Sequence, residues 1–234
     1  MSVRIIAATQ PAPWLVERGV KTAEQLIVYT ARVSNPSNQD SVSSGDRLLK
    51  YCLEHGHWSV FETANMTVEI ETTRAIAAQL LRHRSFTFQE FSLRYARSTG
   101  RAVVPSARLQ DEKNRQSSLP NSDETLDWWW RTEAGRVMDE AEEIYRQAIT
   151  RGIAKEVARM VLPLATPTRL YMTGSVRSWI HYLTARLDPA TQLEHRLVAE
   201  QIANVFDDEF PIVAKAIDLE GLVQKIVDHD LGEA

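Results

Sequence analysis

The chain has 234 residues, 44% hydrophobic and 25% charged, and its 27 Lys and Arg against 31 Asp and Glu leave a formal net charge of -4. That balance argues against non-specific coating of nucleic acid, and no apolar run approaches the ~18 residues that span a bilayer. Cys52 is the sole cysteine, so no intrachain disulfide can form and a cytoplasmic setting is expected.

Surface scaling gives roughly 10,700 Å² exposed when folded against roughly 38,600 Å² unfolded, so about 72% is expected to be buried. A core is then possible without a disulfide or a structural metal. Residues Met1 to Ala8 lack the apolar stretch and cleavage site of a signal peptide. Val3 to Ile6 reads as a first strand, and Thr22 to Val33 has helical spacing in Leu26, Ile27 and Thr30. Asn35 to Gln39 reads as a loop. Asp46 is placed to cap a helix through Leu48, Leu49, Cys52 and Leu53 that stops near Gly56. Met66, Val68 and Ile70 alternate with Thr67, Glu69 and Glu71, the pattern of a strand with one buried face.

Thr73 then opens an Ala-rich helix from Arg74 to about His83, and Phe86 and Phe88 point to a turn and extended chain. Residues 110–127 are polar and read as a surface excursion within a single domain covering 1–234. An amphipathic helix is expected over 128–150, with Val137, Met138, Ala141, Ile144, Tyr145 and Ala148 on its stripe. Gly152 separates it from a second helix ending at Pro163. Leu170 and Met172 mark a strand, and Val176, Trp179, Ile180 and Leu183 a helix. Pro189 fits the start of a last helix carrying Leu193, Leu197, Val198, Ile202 and Val205. Helices dominate over a small sheet, so the fold class is α+β. Asp207 to Glu209 read as a solvated turn, and His229 as a surface residue.

The chemistry concentrates in basic side chains. Arg82, His83, Arg84, Arg94 and Arg97 fall within sixteen residues, with Glu90 and Ser92 among them. Gln79, Arg82 and His83 have the spacing of one helical face. A helix dipole alone explains basic residues at a helix end, but this density in an acidic chain points to an anion, since guanidinium groups grip phosphate through paired donors. A second set is Arg159, Arg177, His181 and Arg186. Arg159 has apolar neighbours, Ala158, Met160, Val161 and Leu162, and an i, i+3 partner in Glu156. None of the nine glycines has the Gly-x-Gly spacing of a phosphate cradle, so side chains and helix ends must do that work. His55 and His57 lack the partners of a metal motif, and no metal is assigned. Cys52, between Tyr51 and Leu53, reads as core. Trp128 to Trp130 read as core or subunit interface.

Arg82-His83-Arg84, seven residues and then Ser92 resembles the signature of the flavin-dependent thymidylate synthases. Three further blocks resemble the family: Glu54 to Glu62, Glu156 to Pro163, and Arg177 to Leu183 with Arg186, Gln192 and Glu194. The central block also takes in Gln79 to Arg84 and Gln89 to Tyr95. The chain departs from the usual family pattern at Val60, Thr63, Gln89 and Ser175, and in the run after Arg186. The resemblance implies reductive methylation of dUMP to dTMP, with carbon from 5,10-methylenetetrahydrofolate and hydride from FAD reduced by NADPH. It also implies a homotetramer with shared active sites, and neither nucleic acid nor membrane as a partner.

Carried over residue by residue, the resemblance implies FAD contacts at Ser59, Arg82, His83, Arg84, Glu90, Ser175, Val176, Arg177 and His181. It implies dUMP contacts at Gln79, Leu80, Leu81, Arg82, Glu90, Phe91, Ser92, Leu93, Arg94, Arg159 and Arg186, with backbone groups serving at the leucines and Phe91. Arg186 is expected to stabilise charge on the uracil ring. Ser92 is read as a dUMP ligand, since no general base fixed beside it is evident to make it a nucleophile. Two other readings are a non-catalytic nucleotide- or RNA-binding module and a metal-dependent hydrolase using His55, His57 and Glu62.

Overall fold

A computed structural model describes residues 1–41, 45–98 and 100–231. The first strand, β1 (Ser2–Ala8), lies antiparallel on β2 (Asn65–Thr73), whose Met66, Val68 and Ile70 are fully buried as the alternation requires. The outward face of β2 is not simply solvated. Glu69 is buried there and accepts from Arg4 Nε at 2.6 Å.

Among the described residues, three α-helices lie between these strands. Helix α1 (Pro13–Glu17) has no counterpart in the sequence reading. In α2 (Ala23–Ala31), Thr22 Oγ1 accepts from the Gln25 amide and Gln25 Oε1 accepts from the Thr22 amide. This reciprocal capping satisfies two amides that the first helical turn leaves open. The loop at Asn35 to Gln39 contains a 3-10 turn over Pro36–Asn38. Helix α3 (Gly45–Glu54) begins before Asp46, which therefore sits in its first turn and is not its cap; the capping position falls outside the described residues. Gly56, with φ of +67°, ends that segment in the left-handed conformation that glycine adopts without strain.

Beyond β2, Thr73 caps α4 (Arg74–Leu80), which ends three residues earlier than its spacing predicts. The amides of Arg82 and His83 bond to Gln79 and Leu80 three residues back, so the chain is already turning toward β3 (Thr87–Glu90). Arg82 and His83 thus leave the helical face they were expected to share with Gln79. The excursion near 110–127 holds a hairpin of β4 (Arg108–Gln110) and β5 (Ser118–Pro120). Asp111 Oδ1 accepts from the Lys113 and Asn114 amides and sets its turn.

Helix α5 (Glu124–Thr150) starts earlier than expected, because Asp123 accepts from the Thr125 and Leu126 amides. Its apolar stripe is not covered by this chain: Tyr145 alone on it is buried, and Val137 and Ile144 are exposed. Trp128 and Trp129 are exposed too, so they are not core. The segment after Gly152 forms only a short α6 (Lys155–Ala158) and a 3-10 turn over Arg159–Val161.

Strand β6 (Pro167–Ser175) completes the sheet, antiparallel to both β2 and β3, in the order β1-β2-β6-β3. It leads directly into α7 (Val176–Arg186), capped by Ser175. Asp188 to Gln192 form turns, and α8 (Leu193–Glu209) starts four residues after Pro189. Asp207 to Glu209 lie on its last turn and do not form a turn before Pro211. Helices α9 (Pro211–Ala216) and α10 (Leu219–Leu231) follow, neither of them foreseen. Helices α4, α7 and α8 pack against the sheet. One core cluster runs from Ala23 to Ile226 and includes Phe61, Met66, Trp179, Tyr182 and Phe206. The chain exposes 13,984 Å², well above the expectation for a compact monomer of its mass. Among the described residues, no helix is long and apolar enough to cross a membrane.

Candidate active site

Two side-chain groups assemble around α7. At its N-terminal end, Arg177 Nη1 donates to Glu62 Oε1 at 3.0 Å, and His181, one turn on, lies 4.5 Å from the Trp58 ring. Hydrogen bonds from Ser175 and Arg177 hold the Glu62 carboxyl below its usual range. Burial, and then Arg177, push His181 down. The upstream block thereby meets the Ser175-Val176-Arg177 segment, with Ser59 exposed on the same 3-10 turn as Trp58 and Glu62.

At its C-terminal end, α7 presents Arg186, whose Nε donates to His83 Nε2 at 2.9 Å. Arginine has no acceptor, so that His83 nitrogen must be unprotonated. Burial, reinforced by the neighbouring Arg186 charge, lowers His83 to about 4. The rings of Tyr182 and Phe86 stand edge-on to it at 4.9 and 6.4 Å. His195 on α8 is fully buried and is lowered to about 3 by burial, Arg186 and His83. Burial raises the Tyr182 phenol, which has no hydrogen-bond partner among the described residues. Arg82 and Arg84 flank His83, are exposed, and make no ion pair among the described residues.

Both histidines are neutral in the folded chain at pH 7, and each titrates near 6.5 when unfolded. Below 6.5 the unfolded chain binds more protons, so stability falls as the pH drops toward 4, where the His83 contribution levels off. The urea midpoint is expected to fall across that window, and to fall less in His83→Asn. Equal acid sensitivity in the two proteins discards the assignment.

The remaining predicted residues lie elsewhere. Glu90 Oε1 accepts from Thr168 Oγ1 at 2.9 Å and pairs with Arg74 at 3.5 Å. Phe91 gives its amide to the Arg169 carbonyl, and Ser92 Oγ accepts from the Arg94 amide at 3.3 Å. The side chains of Leu80 and Leu93 are buried, so only their backbones could meet a ligand, whereas Leu81 and Phe91 are exposed. Glu156 pairs with Arg94 at 3.2 Å and not with Arg159. The apolar surroundings expected of Arg159 are only partly buried: Ala158 is buried and Leu162 half-buried, but Met160 and Val161 on the 3-10 turn are exposed. Arg159 itself is half-buried and without an ion pair among the described residues.

The structure thus brings His83 and Arg186 together, with Arg82 next to His83 in the chain, and Ser175, Arg177 and His181 together. Register separates Glu90 to Arg94 from the second of these groups. Glu90 pairs with Leu170, while Ser175 ends the same strand, a separation of roughly 17 Å at the usual rise per residue. His195, Tyr182 and Arg108 also reach this region and were not among the expected site residues. His195 had only its place in a helical stripe, and Arg108 is 86 residues from its partner Glu194, so neither had a local signal.

Cys52 is buried and burial raises its thiol, which suits packing and not nucleophilic attack. Cys52→Ala is expected to keep its turnover and lose about 1 kcal/mol of stability; loss of turnover in a folded variant reverses that reading. His55 stacks on Tyr51 with ring centres 3.9 Å apart and bonds to its carbonyl through Nδ1.

Comparison with known proteins places this geometry. Residues 15–212 match the family described as thymidylate synthase complementing protein. The chain is 51% identical over 218 residues to a probable flavin-dependent thymidylate synthase of Paramecium bursaria Chlorella virus 1, covering 93% of this chain and 99% of the relative. It is 49% identical over 218 residues to a flavin-dependent thymidylate synthase of Synechocystis sp., covering 93% of this chain and 100% of that relative. Among solved structures, a UMP/dUMP methylase, PolB, from Streptomyces cacaoi bound with 5-Br dUMP superposes with a TM-score of 0.80 at 26% identity, covering 93% of this chain and 94% of that one. Taken with the four blocks of matching residues, these likenesses show that the chain belongs to the flavin-dependent thymidylate synthase family.

Proposed function

We propose that this chain methylates dUMP to dTMP, taking carbon from 5,10-methylenetetrahydrofolate and hydride from FAD that NADPH reduces. The observation that carries the reading is the Arg186–His83 pair. Its neutral imidazole takes up Nε and leaves both terminal nitrogens of the guanidinium without another hydrogen bond among the described residues. A cation held by one edge, with the other edge free, suits a planar anion or a ring on which negative charge develops.

The residues present fit a phosphate-bearing flavin. Arg82 and Arg84 are exposed and unpaired among the described residues, and no glycine cradle competes for that task. Arg82, Arg84, Arg177 and His181 would hold FAD, with Ser59, Glu90, Ser175 and Val176 around it. Bound there, FAD supplies the hydride that completes the methyl group. Arg186 stabilises charge on the pyrimidine, His83 orients Arg186, and Ser92, Arg94 and Arg159 hold the dUMP phosphate. Gln79 and the backbone near Leu80, Leu81, Phe91 and Leu93 meet the nucleoside.

We also propose a homotetramer with shared sites, in a cytoplasmic setting. The Glu90–Arg94 group and the Ser175–His181 group lie at opposite ends of β6, so one chain does not close both around a single ligand pair. The surface left open supports it. Met160 is 78% exposed, Leu164 71% and Trp128 67%, and total exposure exceeds the compact-monomer value by about 3,000 Å², an amount typical of stable subunit interfaces.

The test is direct. FAD-loaded protein is reduced by NADPH without oxygen, then given dUMP and 5,10-methylenetetrahydrofolate, and dTMP is assayed. dTMP formation is expected. Protein that binds and reduces FAD yet forms none overturns the reading.

A further inference from the structure

A hydrogen-bonded chain of fixed polarity runs from the β4–β5 hairpin to Gln79. Arg108 on β4 donates through both terminal nitrogens to the two carboxylate oxygens of Glu194, at 2.7 and 2.9 Å. Burial raises the Glu194 carboxyl, but Arg108 and Gln192 outweigh it and keep the group ionised. An ionised carboxylate only accepts. Gln192 must therefore turn its amide nitrogen to Glu194, at 2.9 Å. Its carbonyl oxygen is left to accept from Gln79 Nε2 at 2.6 Å. Gln79 in turn shows Oε1 to His195 Nδ1, at 3.1 Å.

The far end follows from the first. Facing that carbonyl oxygen, the neutral His195 carries its proton on Nδ1. Its Nε2 is buried and has no hydrogen-bond partner among the described residues. A free carboxamide can turn over at little cost, exchanging donor and acceptor. Here Glu194, an obligate acceptor held by Arg108, forbids that exchange through Gln192, and the His195 tautomer follows it. Gln79 keeps one amide proton and one carbonyl lone pair for a ligand.

We propose that Arg108 and Glu194, acting through Gln192, are positioning residues that lock the Gln79 carboxamide in one orientation, so that the site selects uracil over cytosine. This rests on the proposed function, which makes Gln79 a dUMP contact. Uracil has a donor at N3 and an acceptor at position 4, and cytosine reverses both. An amide free to turn over suits either base, whereas a locked one suits only one of them. A purely structural role, docking the hairpin on α8, would change stability and leave base selectivity alone.

The experiment measures the dissociation constants of dUMP and dCMP on the FAD-loaded protein by calorimetry. Glu194→Gln puts a group that can donate or accept at the end of the chain, and is expected to shrink the dCMP-to-dUMP ratio at least about tenfold. Gln192→Leu, which cuts the chain between Glu194 and Gln79, is expected to do the same. A folded Glu194→Gln protein with the wild-type ratio overturns the inference. If Gln192→Leu does not fold, Glu194→Gln on its part-exposed ion pair decides. Wild-type protein that binds no dUMP overturns the proposed function itself; wild-type binding with unmoved variants overturns the positioning alone.

Discussion

Alanine in place of Arg186 is expected to lower kcat for dTMP formation by about 100-fold or more, the loss that follows removal of one donor to developing negative charge. Among the described residues the side chain is anchored by a single bond, Nε to His83 Nε2 at 2.9 Å, so its removal leaves the local fold in place. Lysine keeps the charge and loses the planar fork and the Nε anchor, and is expected to recover only part of the rate. A second readout separates charge from packing. Burial is the larger cause of the low His83 pKa and Arg186 the smaller. His83 should therefore titrate higher in Arg186→Ala, though still below 6.5, when followed by NMR. Near-normal turnover in Arg186→Ala removes the residue from the reaction.

Gly174→Ala carries the largest expected loss of stability. Gly174 lies on β6 at a buried position, opposite Met66 of β2. A methyl there would come within 2.4 and 2.5 Å of two Phe86 ring carbons. Phe86 cannot swing away freely, because its ring stands edge-on to Trp179 at 4.6 Å, and Trp179 donates Nε1 to the Met66 carbonyl at 3.1 Å. Something in this cluster must move, at a cost of about 3 kcal/mol. Phe86 also adjoins His83, so the site is expected to loosen with the core. Thermal unfolding measures the change; an unaltered melting temperature shows that the ring can give way. Phe86→Leu in the Gly174→Ala background should recover part of the loss.

Much of the scaffold was legible along the chain. The alternation at Met66 to Ile70 and at Leu170 to Met172 identified β2 and β6, the two central strands, because a strand with one face in the core must repeat every two residues. The helix from Val176 also stood where its apolar spacing put it. Errors gathered where local pattern competes with distant contacts. Helix α4 stops at Leu80 because the chain must turn into β3, whose partners on β6 lie 80 to 86 residues away. The stripe on α5 was periodic, yet a stripe states only that a helix has an apolar side and not which chain covers it. The hairpin at Arg108 to Pro120 was obscured by its polarity, since two short exposed strands bury too little to leave a pattern.

The candidate site divides in the same way. The linear order of residues settled which groups were available: guanidinium clusters, a lone buried thiol, no glycine cradle, and four blocks that identify the family. Such inventories are set by side-chain chemistry, and chemistry is written residue by residue. Folding alone decided the state those groups are in. His83 is neutral because the fold buries it and, second to that, sets against it the charge of Arg186, 103 positions away. Gln79 has a direction because Arg108 holds Glu194 as an obligate acceptor at the end of one hydrogen-bonded chain. Proton affinity and bond polarity depend on distances through space and on exclusion of water, and neither quantity is carried by spacing along the chain.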